Sequence, residues 1–342
     1  MNSTPVPNSS THFVDGSELG TKRLSALVNR ALELSTGAIP KQYPGSRIAA
    51  LFFNPSLRTR SSLEFAASAV GAKLVTLASG QGLWQIEHRQ GVVMNEDKAE
   101  HISEVAGVLS EMAHILALRT FAGLQDRSVD LGDQIMSSFV HQASRPVINL
   151  ESALWHPLQG LADTATWVKH LGTPQGKRIT LTWAPHPKAL PTAVANQVLL
   201  SAALQGMNIT LAHPKPFDLP EQVIQRCSSV ATRGGGSLRV TNDLTDAYRG
   251  AQVVVAKSWA GVQGYGNRFA ETQIRKNYAD WMVTPDKMAL TDSAGFMHCM
   301  PVRRNVVVSD EVLDSPMSWT NYTAGMRMWT AMALLEQMLE EV

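Results

Sequence analysis

Cysteine is scarce in this chain, with two residues, Cys227 and Cys299, among 342. Two cysteines cannot build a disulfide framework, and no C-x-x-C or Cys/His pairing suited to zinc is present, so a reducing compartment and no structural metal are expected. Charge of one sign is missing too. Thirty Lys and Arg against 29 Asp and Glu leave +1, and the absence of like-charged blocks excludes the basic footprint of a nucleic-acid or membrane-surface protein. No run reaches the ~18 apolar residues of a membrane span. The N-terminus lacks the basic and apolar regions of a signal peptide, so a soluble, cytoplasmic protein with a loose leader over residues 1–14 is expected. Neither G-x-x-x-x-G-K-[ST] nor G-x-G-x-x-G occurs, which excludes a P-loop and a dinucleotide fingerprint. Gly234-Gly235-Gly236 reads as an isolated flexible turn.

What is present is a chain with 44% hydrophobic and 17% charged residues, far from the composition of disordered proteins and long enough for two domains. Short β-rich apolar runs alternate with longer helical patterns, the signature of parallel sheets with crossover helices, so the fold class is α/β. Strands are predicted at Arg47–Phe53, Lys73–Leu77, Ile115–Leu118 and Pro146–Leu150, and a second series at Arg178–Trp183, Asn208–Ala212, Ser237–Val240 and Gln252–Ala256. Asp15 and Glu18 form a capping-box pattern ahead of an apolar stripe, Leu24, Leu27, Val28 and Ala31. The expected division is 1–150 and 151–320, with a C-terminal helix, 321–342, returning to the first domain.

The most informative segment is Asn54-Pro55-Ser56-Leu57-Arg58-Thr59-Arg60. An apolar strand ends at Asn54-Pro55, and a helix is predicted from about Arg58. Free backbone N–H groups and the positive end of the helix dipole converge there, joined by hydroxyl and guanidinium donors. Any one of these side chains alone would more often be a cap or a surface ion pair. Clustered at the carboxyl end of a strand, where open α/β sheets bind ligands, they describe a phosphate cradle.

Ser56-Leu57-Arg58-Thr59-Arg60 resembles the carbamoyl-phosphate loop of the aspartate/ornithine carbamoyltransferase family. His156-Pro157-Leu158-Gln159 resembles its H-P-x-Q element, and His298-Cys299-Met300-Pro301 its H-C-x-P element, in the family's order. The resemblance implies two domains, one for carbamoyl phosphate and one for the acceptor, and no metal or organic cofactor. It implies that Arg119 and His156 touch the carbonyl oxygen as an oxyanion site, that Gln159 meets the carbamoyl amide as donor or acceptor, and that Arg327 serves the phosphate. It also implies a homotrimer in which Trp84 reaches the neighbouring subunit's site. One departure is Thr323-Ala324-Gly325-Met326 before Arg327, where relatives usually carry Glu-Ala-x-Asn.

The acceptor is read from a second departure. Ordinary ornithine enzymes hold the free α-amino group with an acidic residue and a Ser-Met-Gly loop. This chain has Ala256-Lys257-Ser258-Trp259 there, whose cation would repel an ammonium. The stretch is similar to the N-acylornithine branch, and the resemblance implies a knotted, proline-rich loop through Pro185, Pro187 and Pro191, with Glu151 and His186 contacting substrate. Acetylornithine enzymes carry a Glu in the loop after the Trp, where this chain has Ala99. The smaller, neutral residue makes room for a second carboxylate, which Lys257 and Arg303 would meet, with Cys299 and Met300 alongside. Val307, where acetyl-type members tend to have Lys, agrees. The expected reaction is carbamoyl transfer to the δ-amine of N-succinyl-L-ornithine, giving N-succinyl-L-citrulline and phosphate on the route to arginine. N-acetylornithine and then ornithine are the alternative acceptors. A catalytically silent carbamoyl-phosphate scaffold is the alternative of another class, disfavoured because the cradle donors, Arg119 and His156 are all present.

Overall fold

A computed structural model describes residues 12–80 and 83–342. In the first half, the order is α1 (Gly20–Ser35), β1 (Arg47–Phe52), α2 (Arg58–Ala69), β2 (Lys73–Ala78), β3 (Ile86–Glu87), β4 (Glu100–His101), α3 (Ile102–Met112), β5 (Ile115–Arg119), α4 (Arg127–Gly132), α5 (Gln134–Gln142), β6 (Val147–Glu151) and α6 (Pro157–Leu171). The second half has β7 (Arg178–Trp183), α7 (Ala193–Leu204), β8 (Asn208–Ala212), α8 (Glu221–Arg233), β9 (Ser237–Thr241), α9 (Leu244–Tyr248), β10 (Val253–Lys257), α10 (Arg268–Lys276), α11 (Pro285–Met288), β11 (Gly295–Met297), α12 (Asp310–Leu313) and α13 (Thr320–Glu340).

The first sheet runs β2-β1-β5-β6 and the second β11-β10-β7-β8-β9, all pairs parallel. β5, β6 and β10 are buried along their whole length, as expected of strands covered on both faces. One face of the first sheet packs against α1, α2, α6 and α13 through Leu27, Ala66, Leu161 and Leu335; the other packs through Ile102, Phe139 and Leu116. The second core is richer in large rings, with Trp167, Trp183, Trp259 and Phe217. α6 serves both, giving Leu161 to one core and Trp167 to the other. Its Gly160 lets α7 approach, since a Cβ there would stand 2.3 Å from Ser201 Oγ.

The strand orders fix where ligands go. In the first sheet the chain reverses direction between β1 and β5, and in the second between β7 and β10. Such switch points open crevices at the carboxyl ends of the strands. The Ser56–Arg60 segment and Arg119 leave the first one; His186 and Lys257 leave the second.

Several expectations shift. Residues 1–11 of the expected leader lie outside the described residues, whereas residues 12–14 join the sheet: Phe13 is 1% exposed, and it exchanges backbone hydrogen bonds with Val147 and Asn149. Burial of one aromatic ring is enough to anchor them. Glu151 completes β6, so the first sheet runs one residue past the expected division. The Asp15–Glu18 pattern caps a short 3-10 turn before α1, with Glu18 accepting from the Val14, Asp15 and Gly16 amides. α13 packs against α1, α2 and α6.

Candidate active site

α2 begins directly after the first switch point, and its cradle is built around Thr59, 1% exposed. Ser56 Oγ accepts from the Thr59 amide at 3.2 Å, and Asn54 Oδ1 accepts from the Phe121 amide at 2.8 Å, tying the ends of β1 and β5 together. Thr59 Oγ1 accepts from Arg119 Nη1 at 3.2 Å and from Arg327 Nη2 at 2.7 Å. With both lone pairs engaged, its own O–H is left to donate. The expected donor is thus also the hub that brings β5 and α13 to α2. Leu57 and Arg60 have exposed side chains, so Leu57 can serve only through its backbone N–H.

Arg119 ends β5 at a register shift, which sets it opposite Glu151. Its Nη1 meets Glu151 Oε2 at 2.7 Å, and its guanidinium lies 4.2 Å from the Phe121 ring centre. Glu151 also stands 3.4 Å from His156 Nε2. Expected as a substrate contact, it stands at the end of β6 as the buried counter-ion of Arg119, because β6 runs beside β5. Burial, and then the charges of Arg327, Arg119, Lys257 and Arg58, push His156 well below its ordinary pKa, so the imidazole is neutral at pH 7. Gln159, one turn into α6, donates through Nε2 to Asp163 Oδ1 at 2.9 Å.

The second switch point supplies Lys257, 8% exposed at the end of β10 and without an ion pair among the described residues. Its stem is packed while its ammonium, which is not among the fully buried unpartnered atoms, reaches solvent and is free to meet an anion. Arg275, paired with Glu271 at 2.6 Å, reaches Ser258 Oγ at 2.8 Å and so fixes the turn after Lys257. His186 accepts from Arg303 Nε at 3.2 Å. In the H-C-x-P element, the Met300 amide donates to His298 Nδ1 at 3.0 Å, and burial pushes His298 down to about 3. Cys299, partly buried behind it, has its thiol raised by burial against the lowering by Lys257. Met300 itself has φ 52, a left-handed conformation rare outside glycine.

Among the described residues, ten buried side-chain polar atoms have no hydrogen-bond partner, and five cluster here: Arg58 Nε, Arg119 Nε, His156 Nδ1, Gln159 Oε1 and Arg327 Nε. Buried polar groups are normally satisfied, so this concentration marks a ligand site. Trp84 and Ala99 lie apart. Trp84 is 56% exposed and donates to Glu100 Oε2 at 2.8 Å; no hydrogen bond or ion pair joins it to the cradle among the described residues. Ala99 is exposed beside Lys98, which meets Glu87 Oε1 at 3.1 Å. Glu87, held well below the usual carboxylate range chiefly by Arg89, also caps the His88 and Arg89 amides, so this clasp shapes the loop carrying both residues. Sequence reasoning missed Asp163, although an acid four residues after Gln159, on the same helix face, was a legible signal. It named His298 within the H-C-x-P element without giving it a role, and it missed the linking role of Thr59. No group of His, Cys, Asp and Glu among the described residues is arranged to hold a metal, and no helix is long and apolar enough to cross a membrane.

Residues 11–169 match the aspartate/ornithine carbamoyltransferase carbamoyl-P binding domain, and residues 190–338 match the Asp/Orn binding domain. N-acetylornithine carbamoyltransferase of Xanthomonas campestris pv. campestris is 41% identical over 308 residues, covering 89% of this chain and 91% of that one. N-succinylornithine carbamoyltransferase of Bacteroides thetaiotaomicron is 36% identical over 292 residues, covering 85% and 86%. A glutamate-to-proline mutant of N-acetyl-L-ornithine transcarbamylase, complexed with carbamyl phosphate and N-succinyl-L-norvaline, superposes with TM-score 0.92 at 39% identity, over 96% of this chain and 99% of that one. The chain belongs to the aspartate/ornithine carbamoyltransferase family. Within it, the chain falls in the N-acylornithine branch of the carbamoyltransferases.

Proposed function

We propose that the acceptor is N-succinyl-L-ornithine and the product N-succinyl-L-citrulline. The observation that carries this choice is the small, neutral, exposed Ala99 on the loop held by Glu87, while Lys257 offers an ammonium with no ion pair among the described residues. A glutamate at the Ala99 position would repel a second substrate carboxylate. The relative with a substituted glutamate that was crystallised with an N-succinyl compound supports the same logic. Glu100, the neighbouring acid, is already engaged by the Trp84 indole.

In this reading the cationic cradle of Arg58, Arg327 and the α2 amides holds the phosphate of carbamoyl phosphate. Arg119, fixed by Glu151 and Thr59, and the neutral His156 face the carbonyl oxygen. The deprotonated δ-amine attacks the carbonyl carbon, negative charge gathers on that oxygen, and the C–O bond to phosphate breaks; the proton lost from the amine leaves with solvent or phosphate. Rate enhancement comes from positioning and electrostatic stabilisation without a covalent enzyme intermediate. His186, Arg303, Cys299 and Met300 line the acceptor side. The exposed indole of Trp84, with Leu57, Phe65 and Val75 also exposed on the first domain, supports a homotrimer in which Trp84 completes a neighbour's site.

A second reading, N-acetyl-L-ornithine as acceptor, draws on the higher identity to the Xanthomonas enzyme. Measuring kcat/KM for ornithine, N-acetylornithine and N-succinylornithine side by side separates the readings. The largest value is expected for the succinyl substrate, and a larger value for the acetyl substrate refutes that preference.

A further inference from the structure

Asp163 stands one helical turn beyond Gln159 on α6, where residues four apart share a face. Its side chain is buried, with the residue 4% exposed. Gln159 Nε2 donates to Asp163 Oδ1 at 2.9 Å. An ionised carboxylate can only accept hydrogen bonds, so it holds the nitrogen end of the Gln159 amide. The oxygen end is turned the other way, and Gln159 Oε1 is buried with no protein partner. The other unpartnered atoms there are the Nε donors of Arg58, Arg119 and Arg327, together with His156 Nδ1, whose role follows its tautomer. One fixed acceptor therefore stands among donors. Carbamoyl phosphate has the complementary layout, because its phosphate and carbonyl oxygens accept while its amine donates. Acetyl phosphate, with a methyl in place of the amine, would bury Oε1 without a partner, the situation in which polar sites reject analogues most strongly.

We propose that Asp163 is a positioning residue that locks the Gln159 amide with its oxygen toward the transferred group, so that the site demands an N–H donor on that group and selects carbamoyl phosphate over acyl phosphates lacking one. This rests on the carbamoyl-phosphate reading of the cradle. The lock belongs to the ionised carboxylate; once protonated, Asp163 can donate to Oε1 and the amide can turn. Burial drives the carboxyl up to about 7, while the Gln159 N–H and the Arg327 charge from α13 favour ionisation. The Cys299 thiol, across the cleft, is in turn raised by the Asp163 charge.

The test measures KM for carbamoyl phosphate and the inhibition constant of acetyl phosphate in the wild type, Asp163→Asn, Gln159→Leu and the double variant. Asn keeps the shape but can present either end of its amide, so the acetyl-to-carbamoyl ratio is expected to fall about tenfold, with the KM for the N-acylornithine nearly unchanged. In the Gln159→Leu background, replacing Asp163 is expected to leave the ratio where it is, because the two residues act as one unit. An unchanged ratio in folded Asp163→Asn, or a fall of the same size without Gln159, overturns the proposal while leaving the reaction standing. A wild type that neither binds nor turns over carbamoyl phosphate overturns the underlying reading as well. Should Asp163→Asn not fold, the wild type titrated downward through about pH 7 gives the same reading: the ratio is expected to fall, and a constant ratio overturns the lock.

Discussion

Replacing Thr59 by Val tests whether the cradle is organised through one hydroxyl. Val keeps the shape but removes the oxygen that accepts from Arg119 at 3.2 Å and Arg327 at 2.7 Å. Arg119 retains Glu151 at 2.7 Å, whereas Arg327 has no other side-chain hydrogen bond among the described residues. The loss therefore falls mainly on Arg327, a buried guanidinium whose pKa burial has already lowered to about 10. A hydrogen bond to a charged group contributes about 2 kcal/mol, so kcat/KM for carbamoyl phosphate is expected to drop about 30-fold. KM for the N-acylornithine should move far less, since that substrate meets the other switch point. Steady-state kinetics with each substrate varied in turn, beside Thr59→Ser as the variant that restores the hydroxyl, provide the measurement. A folded Thr59→Val with unchanged carbamoyl-phosphate kinetics, or one that Ser does not rescue, would refute the hub.

Ala99→Glu is expected to shift preference toward N-acetylornithine. Two unpaired carboxylates about 4 Å apart cost about 4 kcal/mol near a protein surface, roughly several hundredfold in relative kcat/KM, and an unshifted ratio would remove Ala99 from the acyl pocket. Trp84→Ala and Arg119→Ala subunits, each inactive alone, should regain activity when mixed and reassembled, because some sites then carry neither lesion; no recovery after verified subunit exchange would confine Trp84 to its own subunit. Asp163 also has a stability signature. Its folded pKa, about 7, lies above the ordinary carboxylate value, so the wild type is favoured at low pH and loses that advantage as pH rises to about 7. Asn does not titrate, and the stability of Asp163→Asn relative to wild type should therefore grow by about 2 kcal/mol from pH 5.5 to 8. Denaturant unfolding at both pH values reads this, and a pH-independent difference would deny Asp163 its raised pKa.

The local readings held where local chemistry was sufficient. β7 and β8 fall at Arg178–Trp183 and Asn208–Ala212 as predicted, because both runs are rich in the β-branched Ile and Thr that suit a strand. The cradle, the H-P-x-Q and H-C-x-P elements and Lys257 were legible for a related reason: each joins the end of a strand or the start of a helix, where donors and carbonyls must be supplied by adjacent residues. Tertiary structure decided what depends on neighbours distant in sequence. The register shift that sets Glu151 against Arg119, and the convergence of Arg119 and Arg327 on Thr59 across 60 and 268 residues, follow from which strands and helices lie side by side. So do the anchoring of Phe13 to β6 and the ionisation of Asp163. Sequence specifies which groups are available; burial and pairing in the packed chain determine which of them remain free to meet a ligand.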